Sequence, residues 1–178
     1  ERWQDTLTLC DQALTQAPDL EWGHLLRARC LVRLGQWMPA REAFAQTLRI
    51  NMGNYSAWLE AGHLCRQMGE LQQAALSYQK AIDVAPLRYE ALLGMARVLM
   101  LQGHEAHANR AYQDAAQAAG ASGKSGAVPR VHHLMGQYLL EMGQPQKAVP
   151  CFQRALTQTA PQDVDAAAEV RMDMAMAL

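Results

Sequence analysis

The sequence predicts an all-α protein, an α-solenoid of antiparallel helical hairpins stacked one on the next. Three observations predict it. The apolar half of the chain is drawn chiefly from Ala, Leu and Met rather than from Val, Ile and aromatics, a choice that favours helix over strand. Gly35, Gly69 and Gly103 stand 34 residues apart, and Ala40, Ala74, Ala108 and Phe44, Tyr78, Tyr112 keep the same step. Each period reads as two helical patterns with no strand signal, and one hairpin cannot bury both of its faces without a neighbour.

The elements follow in order. Residues 1–20 read as the second helix of a repeat whose first helix is missing, because Ala13 and Pro18 fall in the columns of Ala81 and Pro86. Residues 21–54 make a repeat through Ala28, Leu31, Gly35, Ala40 and Phe44, with His24 and Met52 in the columns of Trp58 and Pro86. Residues 55–88 make the most regular one, through Trp58, Gly62, Gly69, Ala74, Tyr78, Ala81 and Pro86; residues 89–120 follow with Leu92, Ala96, Leu99 and Gly103. Gly103 to Gly143 is 40 residues, so six have been added, and they fall around AGASGKSGAVP. Residues 121–128 are therefore expected to form an inserted, exposed and mobile inter-repeat loop. A repeat over 129–162 keeps Gly136, Leu139, Gly143 and Phe152, and residues 163–178 read as the first helix of a truncated repeat.

Local chemistry supports these spans. The glycines at 35, 69, 103 and 143 supply the positive φ that stops a first helix. Ala28, Gly62, Ala96 and Gly136 let two helices approach closely, while Phe44, Tyr78, Tyr112 and Phe152 are expected to fill the space between units. Pro39 and Pro145 sit near second-helix starts, where a missing N–H is harmless. Pro150 falls about five residues into its helix and predicts a kink or a late start. Met172, Met174, Met176 and Leu178 end the chain with apolar residues awaiting cover, which predicts a disordered tail or self-association.

A 34-residue helical-hairpin period with these columns resembles the tetratricopeptide repeat family over nearly the whole chain. The resemblance implies a right-handed superhelix whose first helices line a concave groove that binds protein or peptide, without catalysis. Two specialisations of the family do not carry over. The chaperone-tail carboxylate clamp has asparagines where this chain has Arg29 and Glu60. The asparagine ladder of the O-linked N-acetylglucosamine transferase superhelix falls here on Leu26, Glu60, Gly94 and Leu134.

Stepping through the first helices gives the column Arg29, His63, Arg97 and Gln137, and neighbouring columns add Arg33, Arg66, Gln67, Arg130 and His133. The wall leans basic although the formal net charge is −1. Charge segregated onto a concave face favours an anionic partner, so these nine residues are the expected contacts to acidic or C-terminal carboxylate groups; solvated arginines whose stems cover apolar surface are the plainer reading.

Other chemistry is weak. Gly123, Lys124 and Ser125 fit the end of a phosphate loop, but Ala118 stands where its first glycine should, and the stretch joins helix to helix rather than strand to helix. His104, Glu105 and His107 lack the zincin spacing, and adjacent His132 and His133 point in different directions. No metal, cofactor or catalytic constellation is expected. Trp22, Trp37 and Trp58 read as packing residues, with Trp22 the one able to reach the groove. Nucleic acid is not expected as a partner, and no run of about 18 apolar residues suggests a membrane span. Cys10, Cys30, Cys65 and Cys151 are scattered and read as buried thiols. They favour a reducing compartment, so the expected location is cytoplasmic, with the periplasm the alternative because Glu1 is not a natural start. Two other readings stay open: the recognition arm of a larger bacterial enzyme, such as a glycosyltransferase or sulfotransferase, and a self-assembly module stacking through the truncated ends.

Overall fold

The computed structural model describes residues 2–124 and 126–178, and among them there are ten α-helices and no strand. They are α1 (Arg2–Gln16), α2 (Glu21–Arg33), α3 (Trp37–Ile50), α4 (Tyr55–Gln67), α5 (Leu71–Val84), α6 (Tyr89–Leu101), α7 (Glu105–Ala121), α8 (Ala127–Glu141), α9 (Pro145–Gln158) and α10 (Val164–Ala177). The chain is thus all-α and built of helical hairpins. It divides into two compact units, one running to Ala85 and holding α1 to α5, the other beginning at Pro86 and holding α6 to α10.

In the first unit, α2 packs on α3 and α4 on α5, while α1 lies against α2 and α4 against α3. Each hairpin turns through the same device. Gly35 (φ +72°) donates its N–H to the Val32 carbonyl at 3.1 Å, and Gln36 donates to Leu31 at 2.9 Å; Gly69 (φ +79°) and Glu70 repeat this on Arg66 and Cys65. This pair of bonds satisfies carbonyls that the ending helix leaves unpaired, and it requires a left-handed residue. Nothing lies within 4 Å of where a Cβ would stand at Gly69, so glycine is needed there for its φ and not for space. The core is formed by Ala28, Cys30, Leu31, Ala40, Ala43, Phe44, Ala57 and Leu64, with Leu7 from α1. Thr47 is buried among them and stays satisfied by donating to the Ala43 carbonyl at 3.0 Å.

The second unit repeats the scheme with α6 on α7, α8 on α9, and α10 packed against α9. Gly103 and Gly143 close its two hairpin turns. Two of the core aromatics, Tyr78 and Phe152, seat against the first helix of their own hairpin, while Phe44 shares a core cluster with Ala57 and Leu64 of the next repeat and Tyr112 with Tyr138 and Leu139. A Cβ added at Gly136 would stand 2.5 Å from Cε1 of Phe152, and one at Gly62 in the first unit would stand 2.7 Å from Cε1 of Tyr78. The bare backbone of a first helix is therefore the seat of the ring from its own second helix.

Three expectations change. Little of the six-residue insertion becomes loop: α7 extends to 17 residues where α3, α5 and α9 have 14, and only 122–126 lie between α7 and α8. Ala119, on the extension, is buried in one small cluster with Ala115, Ala118, Tyr89, Ala127 and Val131, so the added turn is packed rather than loose. The part of the expected loop at Ser125 lies outside the described residues. Pro150 causes no late start, since α9 begins at Pro145 and carries Pro150 on an exposed face. The last segment is the helix α10 rather than a disordered tail, with Val170 buried and Met174 packed on the unit's core, while Met172, Met176 and Leu178 are exposed.

Candidate functional site

The side chains expected on the groove are carried by α2 and α4 in the first unit and by α6 and α8 in the second. Helical spacing sets their faces: Arg29 and Arg33 are one turn apart on α2, as are His63 and Gln67 on α4.

In the first unit, Arg29 is paired with a carboxylate of the next first helix. Its Nε donates to Glu60 Oε1 and Oε2 at 2.9 and 3.0 Å, and its Nη2 donates to Oε1 at 2.6 Å. These hydrogen bonds to Glu60 hold the guanidinium pKa above its ordinary value. His63 Nδ1 lies 2.8 Å from the Tyr78 hydroxyl, so its ring is tied to the aromatic of its own hairpin. Arg33 stands over the Trp3 ring, 5.6 Å from its centroid. Arg33 and Arg66 make no ion pair among the described residues. Gln67, next to Arg66 on α4, is exposed.

In the second unit, Arg97 on α6 pairs with Glu141 on α8, and its Cζ lies 4.8 Å above the Tyr138 ring centroid. Tyr138 in turn donates to the Arg97 carbonyl at 2.9 Å. His133 Nε2 and Gln137 Nε2, both on α8, reach the same Asp173 Oδ2 on α10, each at 2.7 Å. First helices are thus tied to the next first helices by polar links: Arg29 to Glu60, Arg97 to Glu141, His133 and Gln137 to Asp173. The basic lean read from the sequence is offset wherever such a carboxylate stands opposite, because sequence columns displayed the cations and not their partners.

Between α8 and α10 the second unit has a hollow of about 420 Å³, lined by Gly126, Pro129, Arg130, His133, Leu134, Gln137, Thr159, Asp163, Ala166, Glu169 and Val170. It gathers three of the expected site residues, Arg130, His133 and Gln137. The repeat columns do not reveal the α10 side of it, since residues 163–178 carry only part of the repeat pattern.

The weaker chemical candidates have structural roles. Among the described residues no group of three or more His, Cys, Asp and Glu side chains could hold a metal ion. Glu105 accepts from Lys147 Nζ and Gln144 Nε2, each at 3.1 Å, rather than acting with His104 and His107. His133 is bound to Asp173, whereas burial, and then Arg154, pushes the His132 imidazole below the usual histidine range. All four cysteines are free and buried, and burial pushes each thiol up, away from the reactive thiolate. Trp22 and Trp37 are both exposed rather than core residues, Trp37 standing at the start of α3 ahead of the buried Ala40. Trp58 donates its Nε1 proton to the Met52 carbonyl at 2.8 Å. Among the described residues no helix is long and apolar enough to cross a membrane.

Comparison with known proteins bears on the family and the fold. Models described as tetratricopeptide repeat match residues 25–83 and 129–160. The chain is 30% identical over 131 residues, 74% of its length, to the Protein CTR9 homolog of Arabidopsis thaliana, and it spans 12% of that protein. Among solved structures it is similar to a thermophilic TPR protein of Thermus thermophilus, with TM-score 0.72, 22% identity, and 98% and 91% of the two chains covered. It is similar also to MamA from Desulfovibrio magneticus, at TM-score 0.71 and 13% identity over 88% and 85% of the chains. A third is YrrB, described as a TPR protein with an unusual peptide-binding site, at TM-score 0.63 and 16% identity over 95% and 87%.

Proposed function

The chain belongs to the tetratricopeptide repeat family, and from that premise we propose that it is an interaction scaffold whose first-helix faces bind a segment of another protein. Members of this family serve in general as interaction modules rather than catalysts, and the buried thiols of this chain supply no activated nucleophile.

The partner segment we propose for the first unit is acidic or carries a free C-terminal carboxylate. The observation that carries this reading is the state of the arginines: Arg29 is taken by Glu60, whereas Arg33 and Arg66 make no ion pair among the described residues. Guanidinium groups of this kind suit a carboxylate through paired N–H donors, and Gln67 adds a neutral donor on the α4 face. The pairing also alters which residues should be tested. Reversing Arg29 would leave Glu60 facing a second carboxylate, so a loss of binding there would report damage to the α2–α4 link as much as loss of a contact.

The test uses fluorescein-labelled peptides of equal length, one series acidic with a free C-terminus, one amidated, one with Gln in place of the acids, measured by anisotropy. Acidic peptides should bind at least tenfold more tightly, weaken as salt rises, and lose that preference in the Arg33→Glu/Arg66→Glu variant. Equal binding of acidic and neutral peptides, or a preference unchanged in the variant, overturns the acidic reading.

A further inference from the structure

The hollow between α8 and α10 differs in character from the α2–α4 face. Its apolar lining comes from Pro129 and Leu134 on one side and Ala166 and Val170 on the other. Leu134 is 37% exposed, unusual for a leucine in the middle of a helix whose neighbours Val131, Tyr138 and Leu139 are buried. Arg130, Asp163 and Glu169 line the same hollow, and all three are exposed, so it is an open trough rather than a closed cavity. Its volume, about 420 Å³, lies in the range of sites that hold a ligand.

The charges in the trough are unequal. Asp173 is occupied by His133 and Gln137, whereas Asp163, Glu169 and Arg130 make no ion pair among the described residues. Two unpaired carboxylates and one guanidinium therefore line the trough together with its apolar residues. An apolar side chain entering the trough would exclude water from Leu134, and a cation beside it would meet Asp163 and Glu169 as they are desolvated, where the attraction strengthens.

Resting on the reading of the chain as an interaction scaffold, we propose that the α8–α10 trough binds an extended peptide segment in which an apolar anchor residue is flanked by lysine or arginine. Leu134, Ala166 and Val170 receive the anchor. Asp163 and Glu169 take the flanking cation. Arg130 opposes it and so selects against a segment that is basic on both sides.

The test uses the full chain carrying Arg33→Glu/Arg66→Glu, which removes the acidic preference of the first unit, and fluorescein-labelled twelve-residue peptides with a central Leu flanked on one side by Lys, Ala or Glu, measured by anisotropy. Lys-flanked peptides should bind about tenfold tighter than Glu-flanked ones, with Ala between. The Asp163→Asn/Glu169→Gln variant should abolish this order, Arg130→Gln should tighten the Lys-flanked peptide several-fold, and replacing the central Leu by Gly should remove binding. These variants alter exposed side chains, and unchanged helical circular dichroism verifies that they fold. A reversed or absent order, or an order that survives in the Asp163→Asn/Glu169→Gln variant, overturns the proposal. So does a concentration-dependent dimer, seen by light scattering, that dissociates in the same variant, because the occupant would then be a second copy. Arg33→Glu/Arg66→Glu separates the two readings: it should leave the Lys-flanked peptide untouched while removing the acidic preference of the first unit.

Discussion

Arg29 on α2 holds both carboxylate oxygens of Glu60 on α4, with three N–H···O contacts between 2.6 and 3.0 Å. Two first helices of neighbouring repeats are joined there by side chains rather than by core packing. The geometry is favourable, yet the Arg29 side chain is 44% exposed, and exposed pairs are weakened by solvent and by the entropy of holding two long side chains.

The first prediction concerns that balance. A double-mutant cycle with Arg29→Ala and Glu60→Ala, measured by urea unfolding, should give a coupling of no more than about 1 kcal/mol, shrinking further at high salt. A coupling of several kcal/mol would mean that the pair is far better shielded from water than its exposure allows.

A larger effect is expected where a ring sits on bare backbone. A methyl group at position 136 would stand 2.5 to 2.8 Å from three atoms of the Phe152 ring, and Phe152 is fully buried and cannot swing away. Overpacking of this kind costs about 1–3 kcal/mol, against a gain of at most about 1 kcal/mol from replacing glycine by alanine inside a helix. Gly136→Ala should therefore lower stability, by up to about 2 kcal/mol once the propensity gain is taken off in full. Combined with Phe152→Leu it should cost less than the sum of the two single changes. Additive losses would show that Phe152 is not the obstacle.

Pro150 gives a prediction of opposite sign. It lies six residues into α9, so its missing N–H leaves the Gln146 carbonyl without its helical donor, on an exposed face where no packing depends on the ring. Pro150→Ala should raise stability by about 1–3 kcal/mol, read as a higher denaturation midpoint at constant slope. A neutral or destabilising outcome would indicate that the ring fits a helix already bent at that point.

How much of this was legible in the sequence follows from what fixes each feature. Gly35, Gly69, Gly103 and Gly143 mark the turns because a positive φ is a local backbone demand, and local demands leave a mark at a fixed residue. Gly62 with Tyr78, and Gly136 with Phe152, were visible as recurring columns, although only the coordinates show that each ring is seated within its own hairpin. The polar links were not visible. Arg29 and Glu60 are 31 residues apart, Arg97 and Glu141 are 44 apart, and His133 and Asp173 are 40 apart. A long side chain can reach forward or back by a turn, so no constant step betrays such a pair, and columns aligned on cations alone made the wall look more basic than it is. The trough was missed for a related reason: half of it belongs to α10, whose alanine-rich sequence carries little repeat signal. The insertion was misjudged because glycine and serine drew attention to a loop, while the alanines before them had the helix propensity to extend α7 by a turn.

The last prediction is a titration. Hydrogen bonds from Lys147, and then from Gln144, hold the Glu105 carboxyl below the usual glutamate range. An unfolded chain keeps that group near about 4.3, so its folded value is the depressed one. The stability it contributes is present in full above the unfolded value and is lost as pH falls through the folded value. The Glu105 side chain is exposed, so the effect belongs to the carboxylate's own titration far more than to global unfolding. In a carboxyl-resolved NMR titration, Glu105 should show a lower midpoint than an isolated glutamate, and Lys147→Met should move it up toward the ordinary value while Gln144 still donates. A Glu105 midpoint that does not respond to Lys147→Met would mean that the α7–α9 link between Glu105 and Lys147 is not populated in solution.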